Sequence, residues 1–323
     1  MKNYTIGILY LLTCPLFLLA QGEDQFLPTE LKQLTAVTEP ATLRKGFFKL
    51  GLDASYISVK RYYDDQGEKT LFPGAMLGRA SYAGIHASYG ITDRFQVNSS
   101  IPYMLDLAQS VALYYDPLAS QYYQGLNEEN GSGIGDISVG LYGQVLQEKE
   151  HIPSITARAT LMIPTGRKEP ANIQEDDLNI FFDGATGSGE FSLAVDLQFR
   201  KIIYPYSFSI YSGFDYGFGG YKSAWPGEEQ KSFKSGTVFY AAAGLNFHLN
   251  EWICMTNDFY YNVIGKAEND GSLSDVIKWN FNWVPYIHFQ IKQLRLAQGF
   301  MIPLTGRNVA ADPSYILIVQ YIF

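Results

Sequence analysis

From residue 46 to the last residue, apolar and polar side chains alternate along the chain with a period of two. Residues 48–56 read FKLGLDASY and residues 191–200 read FSLAVDLQFR, with an apolar side chain at nearly every second position. The same alternation recurs in 155–163 and 239–247. A period of two is typical of strands that meet a different environment on each face, so the pattern predicts an all-β protein.

Twelve segments carry this alternation, and each is long enough for a membrane-spanning strand. They lie near 46–58, 79–91, 95–106, 134–147, 152–163, 190–203, 206–218, 236–248, 252–264, 278–291, 294–302 and 313–323. Merging or splitting one hairpin would give ten or fourteen strands.

The connections between these segments are alternately short and long. Short turns fall at 92–94, 148–151, 204–205, 250–251 and 292–293. The long, polar connections lie at about 60–78, 107–133, 164–189, 219–236, 265–277 and 303–312. A soluble sandwich has no reason to sort its loops in this way. We therefore predict a transmembrane antiparallel up-and-down β-barrel over residues 46–323, with both termini on the periplasmic side.

The N-terminus has the features of a secretion signal. Lys2 precedes an apolar run that ends at Ala20, before the polar residues 21–24. This predicts a signal peptide over 1–20, cleaved between Ala20 and Gln21, and a periplasmic segment over 21–45. The alternative is an uncleaved anchor, for which the run is short and contains Pro15. After cleavage Cys254 is the only cysteine, which rules out an internal disulfide.

The last strand carries a pattern of its own. Counting back from Phe323, every second residue to Tyr315 is apolar or aromatic. This resembles the C-terminal signal by which bacterial outer-membrane proteins engage the barrel assembly machinery. We expect that machinery and outer-membrane lipid as partners, and the cell outer membrane as the location.

Composition narrows the possible classes further. The 323 residues are 47% hydrophobic and 15% aromatic but only 17% charged, which excludes a disordered chain. A formal net charge of −8 gives no basic footprint for nucleic acid. Only one long apolar run exists, so a polytopic helical membrane protein is excluded as well.

Several short motifs occur together along the chain. They are VTEP at 37–40, GITDRF at 90–95, GIGDI at 133–137, IPTGR at 163–167 and IPLTGR at 302–307. With the alternating C-terminus, they resemble the family of outer-membrane proteins named for the "MetA-pathway of phenol degradation". The resemblance runs from about residue 37 to the end. It implies a barrel that passes small, hydrophobic or aromatic compounds. The resemblance implies no catalytic residues in this sequence.

On each predicted strand, polar positions alternate with apolar ones, and the side chains at the polar positions are predicted to face the lumen. The candidates are Lys49, Asp53, His86, Asp136, Arg158, Asp196, Arg200, Asp215, Asp258, Lys278 and Arg295. Apart from His86 the two signs are balanced, which argues against strong selectivity for anions or cations. A barrel of this size is narrow, so these residues either pair into an ion-pair network or line a charge- and size-selective pathway.

Aromatic residues outside this set have two possible uses. Tyr114, Tyr115, Tyr122 and Tyr123 in the second long connection, and 181–182 in the third, either guard an entrance or pack over the mouth. Trp252, Trp279 and Trp283 fit an interfacial girdle.

One enzymatic interpretation needs a test. Outer-membrane phospholipases use a His-x-Ser pair with an Asn on an adjacent strand, and the turn at Asp93 sets Ser88 opposite Asn98, next to His86. Alternation places these residues in the lumen, whereas a lipase site must face lipid. We expect no catalytic site.

Metal and cofactor chemistry have little support. The four histidines lack ligand spacing, and the acidic run 175–177 with Asp183 is more typical of a solvated loop than of a Ca²⁺ site. We expect no metal and no cofactor. The leading hypothesis is a porin-like channel of the Gram-negative outer membrane for small solutes, and the rival is a non-transporting structural or surface-interaction barrel.

Overall fold

The computed structural model describes residues 42–71, 77–116, 121–149, 151–176, 179–203, 205–223, 227–250, 252–274 and 276–323. Every regular element in these ranges is a β-strand. No helix in the described ranges is both long and apolar enough to span a membrane. The predicted signal peptide 1–20 and residues 21–41 lie outside the described residues.

Twelve long strands form the wall of a barrel. They are β1 (Phe48–Val59), β2 (Leu77–Thr92), β3 (Phe95–Asp116), β4 (Ile137–Leu146), β5 (Ser154–Ile163), β6 (Glu190–Ile203), β7 (Tyr206–Lys222), β8 (Val238–His248), β9 (Ile253–Ile264), β10 (Lys278–Ile291), β11 (Leu294–Arg307) and β12 (Ser314–Ile322).

Each strand pairs antiparallel with the next one along the chain, and β12 pairs with β1 to close the sheet. The closing register sets Leu50 opposite Tyr321 and Tyr56 opposite Tyr315. Closure leaves none of the twelve wall strands with an unpaired edge, as a sheet surrounded by lipid requires. The predicted twelve-strand up-and-down barrel is therefore confirmed.

The two faces of the wall differ sharply in chemistry. On β1, Leu52 is 54% exposed whereas Lys49 is 2% exposed. Across the barrel the exposed large side chains of the strands are mostly aliphatic or aromatic, and most of the buried polar ones lie on the opposite parity. This arrangement is the inverse of a water-soluble protein, and it fits a wall that meets lipid outside and polar groups inside.

The second long connection differs from the expectation of an irregular loop over 107–133. Instead, β3 continues to Asp116 and pairs with a further strand, Gln121–Ile134, which extends β4 outward as a projecting hairpin. The segment 111–115 reads VALYY, and β-branched and aromatic residues favour the extended conformation. The side chains of 110–124, including the four loop tyrosines, lie outside the described set.

Three prolines follow isoleucine in the outward-running strands, and only Pro164 marks the end of a wall strand, because β5 stops before it. Pro102 lies within β3, at a change of pairing partner. Up to Ser100, this side of β3 pairs with β4, and from Tyr103 onward it pairs with the projecting hairpin. Pro303 lies within β11, beside a register shift between Phe281 and Asn282 of β10. Since proline lacks an N–H, it occupies breaks in the ladder, and the strand continues beyond them.

The long connections join one another in pairs through short strands. The first pairs with the sixth, the second with the third, and the fourth with the fifth. These short strands are Arg61–Tyr63, Lys69–Leu71, Ala171–Asp176, Asn179–Asp183, Lys231–Lys234, Glu268–Asn269, Ser272–Leu273 and Val309–Ala310. The outer rim is thus tied together.

Candidate functional site

The most buried ion pair of the interior joins two neighbouring strands. Arg158 near the middle of β5 lies directly opposite Asp196 of β6, and its Nε donates to Asp196 Oδ1 at 2.5 Å. Both side chains are almost fully buried, at 3% and 4% exposure. A buried pair of this kind needs further hydrogen bonds to offset its desolvation.

Tyrosines supply those further contacts. Tyr240 donates its hydroxyl to Asp196 Oδ2 at 3.0 Å. The Arg158 guanidinium carbon lies 5.5 Å from the ring centroid of Tyr142 and 5.3 Å from that of Tyr211. Tyr211 in turn meets Tyr260 edge-on, with ring centroids 5.8 Å apart. The cation is therefore held between aromatic faces as well as by a carboxylate.

Two other predicted lumen residues form a second pair. His86 Nε2 of β2 contacts Asp53 Oδ1 of β1. Gly84 lies directly opposite Asp53, and a Cβ at Gly84 would collide with both Asp53 and the Tyr82 hydroxyl. Asp258 on β9 accepts a hydrogen bond of 3.3 Å from the Tyr260 hydroxyl.

Basic residues gather at the end of the interior next to the short turns. Arg295 Nη2 lies 2.6 Å from His288 Nδ1, and both residues are buried. Arg200 pairs with Glu148 at 3.6 Å, an acid that the sequence analysis did not select. Lys49 is buried at the same end of β1.

Acidic residues predominate at the opposite end. Asp136 is buried at the outer rim and is hydrogen-bonded to the third long connection, so it serves the loops rather than an open lumen. Glu190 accepts backbone N–H bonds from Gly219 and Ser235 in the same way. Asp215 Oδ1 is buried without a hydrogen-bond partner, and Lys278 lies half-buried at the outer end of β10.

An apolar and aromatic surface covers the inner wall from β7 to β12. Its buried members are Tyr211, Val238, Tyr240, Ala242, Tyr260, Val284, Tyr286, Ala297, Met301, Ile316 and Ile318. We call this set the apolar wall. None of these side chains is charged, so charge does not reveal them, although the parity that selects Asp215 and Asp258 also places Tyr211 and Tyr260 inside.

The chain before β1 is fixed to the end of the barrel that carries the short turns. Leu43 is fully buried against Phe47 and Ile322, and its N–H donates to Gln96 Oε1 at 2.5 Å. The Thr42 hydroxyl donates to the carbonyl of Asp93 at 3.3 Å. Residues 42–47 thus form part of this mouth.

The arrangement around Ser88 does not resemble a hydrolase. The register confirms that Ser88 lies opposite Asn98. However, the Ser88 hydroxyl is buried on the inner face without a hydrogen-bond partner, and His86 contacts Asp53. A serine nucleophile requires a base within hydrogen-bond reach.

No three His, Cys, Asp or Glu side chains in the described residues approach closely enough to hold a metal ion. Asp177 of the acidic run lies outside the described residues. Trp252 is exposed in the turn before β9, whereas Trp279 and Trp283 lie on the outer parity of β10.

A closed barrel with an apolar outer face and a charged interior defines a protein of the bacterial outer membrane. Residues 110–310 match the model of the family described as "Putative MetA-pathway of phenol degradation". The match covers most of the chain, and the chain therefore belongs to this family, as the motifs suggested. No curated protein gives a significant match.

Several solved structures are similar to this chain, and one of them shares its fold. The chain is similar to the COG4313 outer membrane channel from Pseudomonas putida F1, with a TM-score of 0.66, 14% identity, and coverage of 87% of this chain and 97% of that one. The NanC porin gives a TM-score of 0.45 at 10% identity, covering 84% and 98%. The toluene transporter TbuX of Ralstonia pickettii gives 0.43 at 11%, covering 87% and 90%.

Proposed function

We propose that the protein is a passive outer-membrane channel for small hydrophobic or aromatic solutes, without catalytic activity. The observation that carries the proposal is the apolar wall, because an apolar and tyrosine-rich inner surface suits hydrophobic and aromatic solutes. The family description, which names phenol degradation, and the channel with the same fold both support this assignment.

The inner-face tyrosines and the predicted lumen charges have different roles in this proposal. Tyrosine rings offer a small solute an apolar face and a hydroxyl, so a neutral aromatic compound can exchange one contact for another along the wall. The charged candidates hold one another in pairs such as Arg158–Asp196 and Asp53–His86. We propose that the paired charges shape the pathway and that the tyrosines contact the solute.

Solute entry into proteoliposomes tests the proposal. Benzyl alcohol and arabinose differ in apolar surface, but both are neutral. A difference between their entry rates therefore does not arise from charge. We expect benzyl alcohol to enter faster in protein-containing vesicles than in empty ones, and arabinose to enter much more slowly. Equal entry of arabinose, or no difference from empty vesicles for benzyl alcohol, would contradict the proposal.

A non-transporting structural or surface-interaction barrel is the second candidate. The observation in its favour is the rim, where the long connections are joined by short strands and by acid-to-backbone hydrogen bonds. If correctly folded protein gives neither solute entry into vesicles nor conductance across a bilayer, this alternative is favoured.

Export and assembly complete the proposal. We propose that residues 1–20 are removed during export and that residues 21–45 remain on the periplasmic side. Outward-facing Tyr315, Tyr321 and Phe323 on the last strand offer an aromatic surface to the assembly machinery and to lipid. The intact mass of the purified protein tests the cleavage site: a mass that includes residues 1–20 would disprove it.

A further inference from the structure

The middle part of the barrel interior, around Arg158, holds buried side chains from every wall strand. Each of the twelve strands places at least one buried inner-face side chain in this zone. They are Ser55, Tyr82, Met104, Tyr142, Arg158, Asp196, Tyr211, Tyr240, Tyr260, Val284, Met301 and Ile316. Side chains that line a water-filled pore remain exposed to water, so this zone is packed rather than open.

Arg158 contacts side chains of three other strands in this zone. It sits on β5, yet its guanidinium lies against Tyr211 of β7, two strands away, as well as against Tyr142 of β4. Neighbouring strands are about 4.8 Å apart, so Arg158 and Tyr211 meet in front of the inner face of β6, which lies between their strands. We call Arg158, Asp196, Tyr142, Tyr211, Tyr240 and Tyr260 the Arg158 cluster.

The wall is shaped to hold this cluster. Gly213 lies directly opposite Asp196 on β7, and any larger residue there would collide with the Asp196 Cβ. Asp196 is then fixed from two sides, by Arg158 Nε and by the Tyr240 hydroxyl. Four aromatic rings and two charges are therefore locked in one arrangement.

We propose that the Arg158 cluster is the permeation barrier of the barrel and the site that selects solutes. The selection part rests on the proposed function. A solute can pass only if Arg158 moves away from Tyr142 or Tyr211. An aromatic ring replaces the lost tyrosine face against the guanidinium, whereas a saturated ring of the same size offers no such contact.

Bilayer conductance tests the barrier independently of any solute. Wild-type protein is expected to conduct weakly, and Arg158→Ala is expected to raise the conductance several-fold. Because that variant leaves Asp196 buried and unpaired, Tyr211→Ala provides a second opening that keeps the ion pair. Arg61→Gln, which breaks an ion pair in the outer connections, is the matched control and should conduct as the wild type does.

Folding of each variant is checked by its heat-modifiable migration on gels. Folded Arg158→Ala and Tyr211→Ala that both conduct as the wild type does would overturn the barrier. If Arg158→Ala does not fold, the double variant Arg158→Gln/Asp196→Asn replaces it, and its conductance is judged together with that of Tyr211→Ala.

Selection is measured as the ratio of benzyl alcohol to cyclohexylmethanol entry through the protein, which is the entry into proteoliposomes less the entry into empty vesicles. The ratio should exceed one for the wild type and fall toward one in Arg158→Met, which keeps an apolar chain but has no cation. A ratio of one in the wild type would overturn the selection. If neither alcohol enters, the proposed function fails, while the conductance result still decides the barrier.

Discussion

The carboxylate of Asp136 accepts two hydrogen bonds of 2.6 Å from Ser188, one from the backbone N–H and one from the hydroxyl. Its other oxygen accepts the N–H of Gly166 at 3.0 Å. Asp136 comes just before β4, and its partners come just after β5 and just before β6. One buried acid thereby joins three strand ends at the outer rim.

Asp136→Asn is expected to loosen this part of the rim. An amide group has only one acceptor oxygen, so a backbone N–H of Gly166 or Ser188 loses its partner. Hydrogen bonds to a charged acceptor contribute more than neutral ones, and we expect a loss of about 2 kcal/mol in the free energy of unfolding. Urea unfolding in lipid vesicles, followed by tryptophan fluorescence, measures it. Glu229→Gln, at an exposed site in the fourth connection, should change little; an equal loss in both variants would contradict the role of Asp136.

Gly166 and Gly187 pack against each other within the same rim. A Cβ on Gly166 would lie 2.6 Å from Gly187 Cα and 2.7 Å from its nitrogen, both backbone atoms that cannot rotate away. Gly166→Ala should therefore cost about 2 kcal/mol through overpacking. Gly131→Ala is the control, because its Cβ would meet Asp106 Cβ at 3.4 Å. Unfolding midpoints that are the same for both variants would rule out this close approach.

The length of the connection between two strands decides whether the sequence predicts which of their residues lie opposite each other. The tight turn between β2 and β3 fixes the register, so the pairing of Ser88 with Asn98 follows from counting residues and is confirmed. Arg158 and Asp196 are both predicted from parity, yet their pairing is not, because the long connection 164–189 separates their strands. A long loop leaves the register open.

The contacts at the rim and the packing of the apolar wall cannot be predicted from the sequence, each for its own reason. Asp312 holds the first connection although it lies far from it in sequence, and no periodicity signals such a contact. The tyrosines of the apolar wall do obey the inner parity, but alternation alone does not reveal which inner residues pack together. Parity predicts the face of a residue, whereas packing depends on shear and side-chain size.

Asp312 makes the outer connections sensitive to acid. Burial raises the pKa of its carboxyl, but the N–H groups of Lys60 and Arg61 and the Arg61 guanidinium outweigh burial and hold the pKa below the ordinary value of 3.8. Because the folded state binds the proton less readily than the unfolded state, Asp312 stabilises the protein fully above that ordinary value. This stabilisation is lost as the pH falls through the lowered pKa.

Unfolding of the wild type and of Asp312→Asn, measured across this acidic window, checks the sign. The difference in stability between the two proteins should be constant at higher pH and should shrink as the pH falls below the ordinary Asp value. A difference that grows on acidification would show the opposite linkage. Asp65→Asn, at an exposed acid of the same connection, is the matched control variant.

Gly90 allows the chain before β1 to dock at the mouth next to the short turns. Its N–H donates to the carbonyl of Phe47 at 3.0 Å, and its own carbonyl accepts the N–H of Gly46 at 2.8 Å. A Cβ at Gly90 would fall on the carbonyl group of Arg44, so Gly90→Ala should displace the segment and release Leu43 from the mouth. Trypsin cleaves after Arg44 and Lys45, and we expect several-fold faster cleavage there in this variant. In Gly51→Ala the nearest atom is the flexible Gln320 Cγ at 3.2 Å, and cleavage should match the wild type. Unchanged cleavage in Gly90→Ala would mean that the segment does not depend on this contact.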